Sequence, residues 1–179
     1  MATLRPRGFT LIELLAVIVI IGILSTIVYT SLTSARARSR DAARMAALNE
    51  IKLALDAYAT DHDGKYPVSG WSSICTDGGS KTLTGSTGYI PDLAPGYIRV
   101  LPTDPLKGNA PCATTYGNAY NYVSDGSNYL VMAFATVETY TASDNPMKRP
   151  FYSGSLVPCN NNTIYENDFA IYSNGAQCW

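Results

Sequence analysis

The sequence predicts an α+β protein in which one long N-terminal helix, apolar in its first half, packs its second half on a small antiparallel β-sheet. Three observations carry this prediction. The apolar residues are concentrated in a near-continuous block from Phe9 to Val28. A three- and four-residue apolar period follows, with no Gly or Pro before Gly64. Beyond it, β-prone runs flank turn residues, with Asp125-Gly126 the clearest turn.

The apolar block comes first. Phe9 to Tyr29 is 21 residues with a single charge, Glu13, which satisfies the roughly 20 residues a bilayer-spanning helix needs. Its flanks differ from those of an ordinary secretory signal, because Thr30-Ser31-Leu32-Thr33-Ser34-Ala35 and then arginines follow the apolar run. Arg5 and Arg7 precede the block while Arg36, Arg38, Arg40 and Arg44 follow it, so charge bias sets no orientation.

The helix should continue past the block. Met45, Leu48, Ile51, Leu55 and Tyr58 form one apolar stripe, and Lys52 and Asp56 are spaced for an i,i+4 pair on a solvated flank. Asp61-His62-Asp63-Gly64 before Pro67 supplies the stop, predicting one helix over Phe9–Thr60. The four arginines after the block have two readings: contacts to anionic headgroups or acidic neighbours, or a solvated helix face.

Residues 65–118 read as an irregular connection with short elements, punctuated by Gly and Pro, with a turn of helix over Pro91–Val100. A two-residue Asp125-Gly126 turn between Ala119–Ser124 and Ser127–Val137 predicts a β-hairpin. Asp168–Ser173 alternates as a third strand, and the Leu48–Tyr58 stripe is the partner expected for the sheet.

Cys75, Cys112, Cys159 and Cys178 share no CxxC spacing, which argues against a zinc knuckle or a redox pair. Disulfides in an oxidising compartment are the better reading. Of three connectivities, Cys75–Cys112 with Cys159–Cys178 is favoured because each closes a local loop, at about 3 to 4 kcal/mol each. They place the C-terminal part outside the cytoplasm.

Composition also excludes function classes. A formal charge of −1 makes a poor polyanion binder, so no direct nucleic-acid binding is expected. His62 is the only histidine, no Gly-x-Ser-x-Gly elbow accompanies it, and Asp61-His62-Asp63 lacks the later acids of a calcium loop. No catalytic, cofactor or metal residues are expected.

The string Arg7-Gly8-Phe9-Thr10-Leu11-Ile12-Glu13-Leu14-Leu15 closely resembles the leader junction of type IV prepilins and type II secretion pseudopilins. The resemblance is strong over residues 5 to about 60, and Tyr66-Pro67 and Leu101-Pro102-Thr103-Asp104-Pro105 extend it into the head. It implies cleavage by a prepilin peptidase between Gly8 and Phe9, N-methylation of Phe9, and polymerisation through the apolar helix. Glu13, a costly carboxylate inside an apolar segment, would meet the amino terminus of a neighbouring subunit and set register. Many members of that family carry a helix-breaking Pro where this chain has Thr30, so the resemblance leaves the extent of helix melting open here.

The expected organisation is therefore a cleaved leader over 1–8, a transmembrane and filament-core helix over 9–35, its amphipathic continuation over 36–64, and a disulfide-containing head over 65–179. A type IV pilus subunit serving adhesion, motility or DNA uptake leads the functional expectations. A type II secretion pseudopilin is the alternative, and a membrane-anchored binding protein ranks below both. The implied partners are other copies of the subunit, the peptidase, the assembly platform with its ATPase, and the inner membrane. The head would lie outside that membrane in a single-pass subunit, which after assembly would join a filament at the cell surface.

Overall fold

A computed structural model describes residues 9–75, 81–106, 119–134, 136–141, 143–147 and 168–176. Its order is α1 (Leu11–Asp61), β1 (Ser69–Ser73), β2 (Tyr120–Ser124), β3 (Tyr129–Ala133) and β4 (Phe169–Tyr172). The predicted α+β architecture is what the chain adopts. Helix α1 is 51 residues long and runs through two compact units, Met1–Ala37 and Arg38–Trp179.

In the first unit the apolar block is uncovered. Its most apolar stretch is wholly unburied, and the helix is long and apolar enough to cross a membrane. The hydroxyls inside it bond back to their own helix: Ser25 Oγ donates to the Ile21 carbonyl at 2.7 Å and Thr26 Oγ1 to that of Ile23 at 2.7 Å. Such bonds hide polar groups that hydrocarbon cannot solvate.

In the second unit the predicted stripe is the core face of α1. Leu48, Ile51 and Leu55 are fully buried, with Met45 and Tyr58 packed against the same cluster. The helix stops where expected, because the Gly64 N–H closes back on the Ala59 carbonyl at 2.8 Å while Asp63 and Gly64 take positive φ.

The sheet is an antiparallel meander in the order β1-β2-β3-β4. Tyr122 pairs with Val131, which pairs with Ile171, so alternate residues share a face. Tyr120, Tyr122, Tyr129, Val131, Ala133, Phe169 and Ile171 join the cluster of the α1 stripe. The opposite face carries a second cluster of Leu130, Met132 and Ala170 with Ala176, so β3 is buried throughout. One buried face was the expectation; the chain uses two.

Three local expectations change. The hairpin connection is four residues, 125–128, because the Asp125 carboxylate accepts from the Ser127 and Asn128 amides at 2.8 and 2.7 Å. Strand β1 lies within the stretch read as irregular, paired to β2 with a register shift between Ser69 and Ser72. The 81–106 segment is built from turns, with one helix-like bond from the Tyr97 amide to the Leu93 carbonyl at 2.9 Å. Tyr89, Ile90, Leu93, Ala94, Ile98 and Leu101 of that segment are buried in the main cluster.

Candidate functional site

The start of α1 is a reciprocal cap. Thr10 donates its backbone N–H and its hydroxyl to Glu13 Oε2, at 2.9 and 2.8 Å, and the Glu13 amide returns a bond to Thr10 Oγ1 at 3.3 Å. A Thr followed three residues later by Glu is the sequence form of this capping box. The carboxylate also sits in the first helical turn, where the helix dipole favours negative charge. Both bonds fall on Oε2; among the described residues Oε1 accepts none. Glu13 is exposed, and Phe9, just ahead of the cap, is 82% exposed.

Gly8 lies outside the described residues, as do Cys112, Cys159 and Cys178. Cys75 is buried in the turn that follows β1, bonded in a disulfide, and its amide donates to Ser73 Oγ at 3.1 Å. The expected pairing therefore falls on residues that are not described.

A second constellation, in the head unit, was not expected. Arg44 is fully buried and holds three carboxylates: Asp104 at 2.6 Å, Asp41 at 2.8 Å and Glu138 at 2.7 Å. The Asp104 contact is a two-pronged fork, Nε to Oδ2 and Nη2 to Oδ1, and Asp104 also accepts the Leu106 amide at 2.8 Å. Asp41 takes the Thr139 amide and hydroxyl at 2.8 and 2.7 Å. Arg40 joins through Nε to Glu138 at 2.8 Å. The clasp thus fastens α1 to the 101–106 and 136–141 segments.

Burial alone would weaken the Arg44 cation, but the hydrogen bonds and charges of Asp104, Glu138 and Asp41 outweigh it and keep the guanidinium protonated. The hydrogen bond from Arg40, helped by Arg44, lowers the Glu138 carboxyl to about 2. Of the four arginines read as one basic stretch, Arg40 and Arg44 are neutralised within the head, while Arg36 and Arg38 remain exposed. The local signal was Asp41-x-x-Arg44; partners 60 and 94 residues away gave none.

At the end of α1, His62 stacks on Tyr58 with ring centroids 3.7 Å apart, and its Nδ1 lies 2.8 Å from the Tyr58 carbonyl oxygen. The Tyr97 hydroxyl donates to Asp61 at 3.1 Å. These contacts use the motif as a packed helix stop. Among the described residues no group of three His, Cys, Asp or Glu side chains is placed to hold a metal ion.

Residues 4–29 match the family described as "Prokaryotic N-terminal methylation motif". The chain is 30% identical over 135 residues to the type II secretion system core protein G of Klebsiella pneumoniae, covering 73% of this chain and 84% of that protein. It is 32% identical over 132 residues to the Escherichia coli K12 protein of the same name, covering 71% and 78%. With the Pectobacterium carotovorum protein of that name the match is 34% over 105 residues, 56% of this chain and 62% of that protein, less than two thirds of its length. No solved structure matches the chain. The extent of the Klebsiella and Escherichia matches makes the chain a member of the family of type II secretion system core proteins G, and with them of the type IV pilin and pseudopilin family.

Proposed function

We propose that this chain is a structural subunit of a type II secretion system, a pseudopilin that polymerises through its apolar helix and catalyses nothing itself. The observation that carries the reading is the juxtaposition of the methylation motif with an apolar helical block left entirely uncovered by its own chain. Such a surface needs lipid or other copies of itself. The relatives' shared name supports a secretion role over the pilus role that led the expectations. A surface pilus subunit remains the second reading, favoured by the motif alone.

On this reading residues 1–8 are the leader, a prepilin peptidase cuts between Gly8 and Phe9, and Phe9 is N-methylated. Residues 9–35 anchor the subunit singly in the inner membrane and later join the fibre core, with 36–64 continuing the helix into the head. The Cys75–Cys112 and Cys159–Cys178 disulfides cross-link that head. Glu13 enters the assembly with Oε2 held by Thr10 and Oε1 open to a neighbour's amino terminus. An assembly platform and its ATPase would extract the subunit into a fibre in the periplasm.

Deletion of the gene tests the choice. A pseudopilin predicts loss of folded proteins from the culture supernatant while surface fibres persist. Loss of surface fibres with an unchanged set of secreted proteins would overturn the proposal in favour of the pilus.

A further inference from the structure

Four arginines follow the apolar block, and the structure divides them. Arg40 and Arg44 are paired with Glu138, Asp41 and Asp104. Arg36 and Arg38, exposed on α1, have no carboxylate partner among the described residues. A guanidinium does not lose its charge at any physiological pH, so it needs a polar environment or an anion outside its own chain.

The helix fixes where that anion would be met. Leu11 to Tyr29 rises about 28 Å at 1.5 Å per residue, matching a hydrocarbon core of about 30 Å. Thr30-Ser31-Leu32-Thr33-Ser34 then supplies about 7 Å of hydroxyl-rich helix, the depth of one headgroup layer. Tyr29 is 70% exposed, at the level where amphipathic aromatic rings settle. Arg36 follows Tyr29 by seven residues, about two turns, so both lie on one helix face. Helical side chains lean toward the N-terminus, which directs the Arg36 stem back toward that layer.

We infer that Arg36 binds the phosphate of an anionic phospholipid headgroup and, with Tyr29, fixes the depth of the unassembled subunit in the bilayer. The inference rests on the membrane-anchored reading above. The competing occupant is a carboxylate of a second copy, which would require assembly; the monomer in lipid is where the phosphate contact belongs. An Arg–phosphate pair at a membrane surface is charge-assisted and bidentate, and snorkelling costs the long side chain little.

The full chain is placed in vesicles of phosphatidylcholine with phosphatidylglycerol, in phosphate-free buffer, with arginine labelled by carbon-13 at the guanidinium carbon. Flotation comes first, and a chain that does not float with the vesicles overturns the membrane-anchored reading itself. For a floating chain, carbon–phosphorus dipolar dephasing reads the guanidinium–phosphate contacts. In a chain with Arg5, Arg7 and Arg38 already replaced by Gln, the expected result is a dephased signal that is lost when Arg36→Gln is added and kept when Arg99→Gln is added, Arg99 being an exposed arginine of the head. The same chain in detergent with inorganic phosphate should show no such signal, which separates lipid phosphate from the free ion. Dephasing unchanged by Arg36→Gln in a floating chain overturns the inference alone, as does an Arg36 contact to a labelled carboxylate of a neighbouring copy in place of phosphorus.

Discussion

The two halves of α1 solve opposite problems. From Leu11 to Val28 the helix exposes its apolar side chains and satisfies its polar groups locally, through the Thr10–Glu13 cap and the hydroxyl back-bonds. From Arg40 to Tyr58 it turns Leu48, Ile51 and Leu55 into the core and fastens its charges to distant segments through Arg44. The first half is left uncovered, whereas the second is packed into the head. One element can therefore carry assembly at one end and fold stability at the other, and substitutions should separate the two.

The largest separation is expected at Glu13. In lipid its carboxylate lies shallow and draws on interfacial water, but in a fibre core an unpaired carboxylate is expensive and a neighbour's amine is the available compensation. Glu13→Ala is predicted to leave stable, cleaved, membrane-resident subunits that assemble poorly when every copy is mutant. Sheared or overproduced fibres, quantified against membrane-resident subunit, give the readout. Normal fibre yield would move register control to packing along Leu14 to Val28.

Arg44→Ala should do the reverse. It strands Asp41 and Asp104, both buried, and breaking a buried pair from one side costs about 3 to 5 kcal/mol. Urea unfolding of the detergent-solubilised chain, followed by head tyrosine fluorescence, should show that loss while insertion is unchanged. A smaller head defect is expected from Gly175→Ala. The added Cβ would lie 2.3 Å from Asn128 Oδ1, an atom that already bonds Ser173 Oγ and the Gly175 amide, and overpacking of this sort costs about 1 to 3 kcal/mol.

The smallest effect is the pH response of the clasp. Glu138 titrates near 2 in the folded head against an ordinary value of 4.5, so its contribution is fully present above about 4.5. It is lost as pH falls from there through 2. Head stability measured between pH 6 and 2 should decline over that window, and Glu138→Gln should flatten the decline. An identical slope in both proteins would remove Glu138 from the account.

How much of this was legible follows from where the information sits. The stripe from Met45 to Tyr58 and the Asp63-Gly64 stop are local periodicities, and both were readable. Glu13 stood out from its motif as a candidate, although the cap that orients its carboxylate was overlooked in Thr10-Leu11-Ile12-Glu13. Strand β1, Ser-Gly-Trp-Ser-Ser, has too little alternation to declare itself and exists through pairing with β2. The 81–106 segment hid its core residues because bonds such as Gly85 N–H to the Ala94 carbonyl and Leu101 N–H to that of Leu83 place them, not a period. Arg44 was read as surface because helix arginines usually are; only the tertiary fold brings Asp104 and Glu138 to it.

The central claim, that the uncovered half of α1 is kept in the mature protein as its membrane and assembly element, is tested most directly by mass spectrometry of the N-terminal peptide from the native membrane fraction. The account predicts a chain beginning at N-methylated Phe9, with Glu13 and the whole apolar block retained. A mature chain beginning between Ser34 and Arg36 would contradict it, because the element proposed to anchor and polymerise the subunit would then have been discarded.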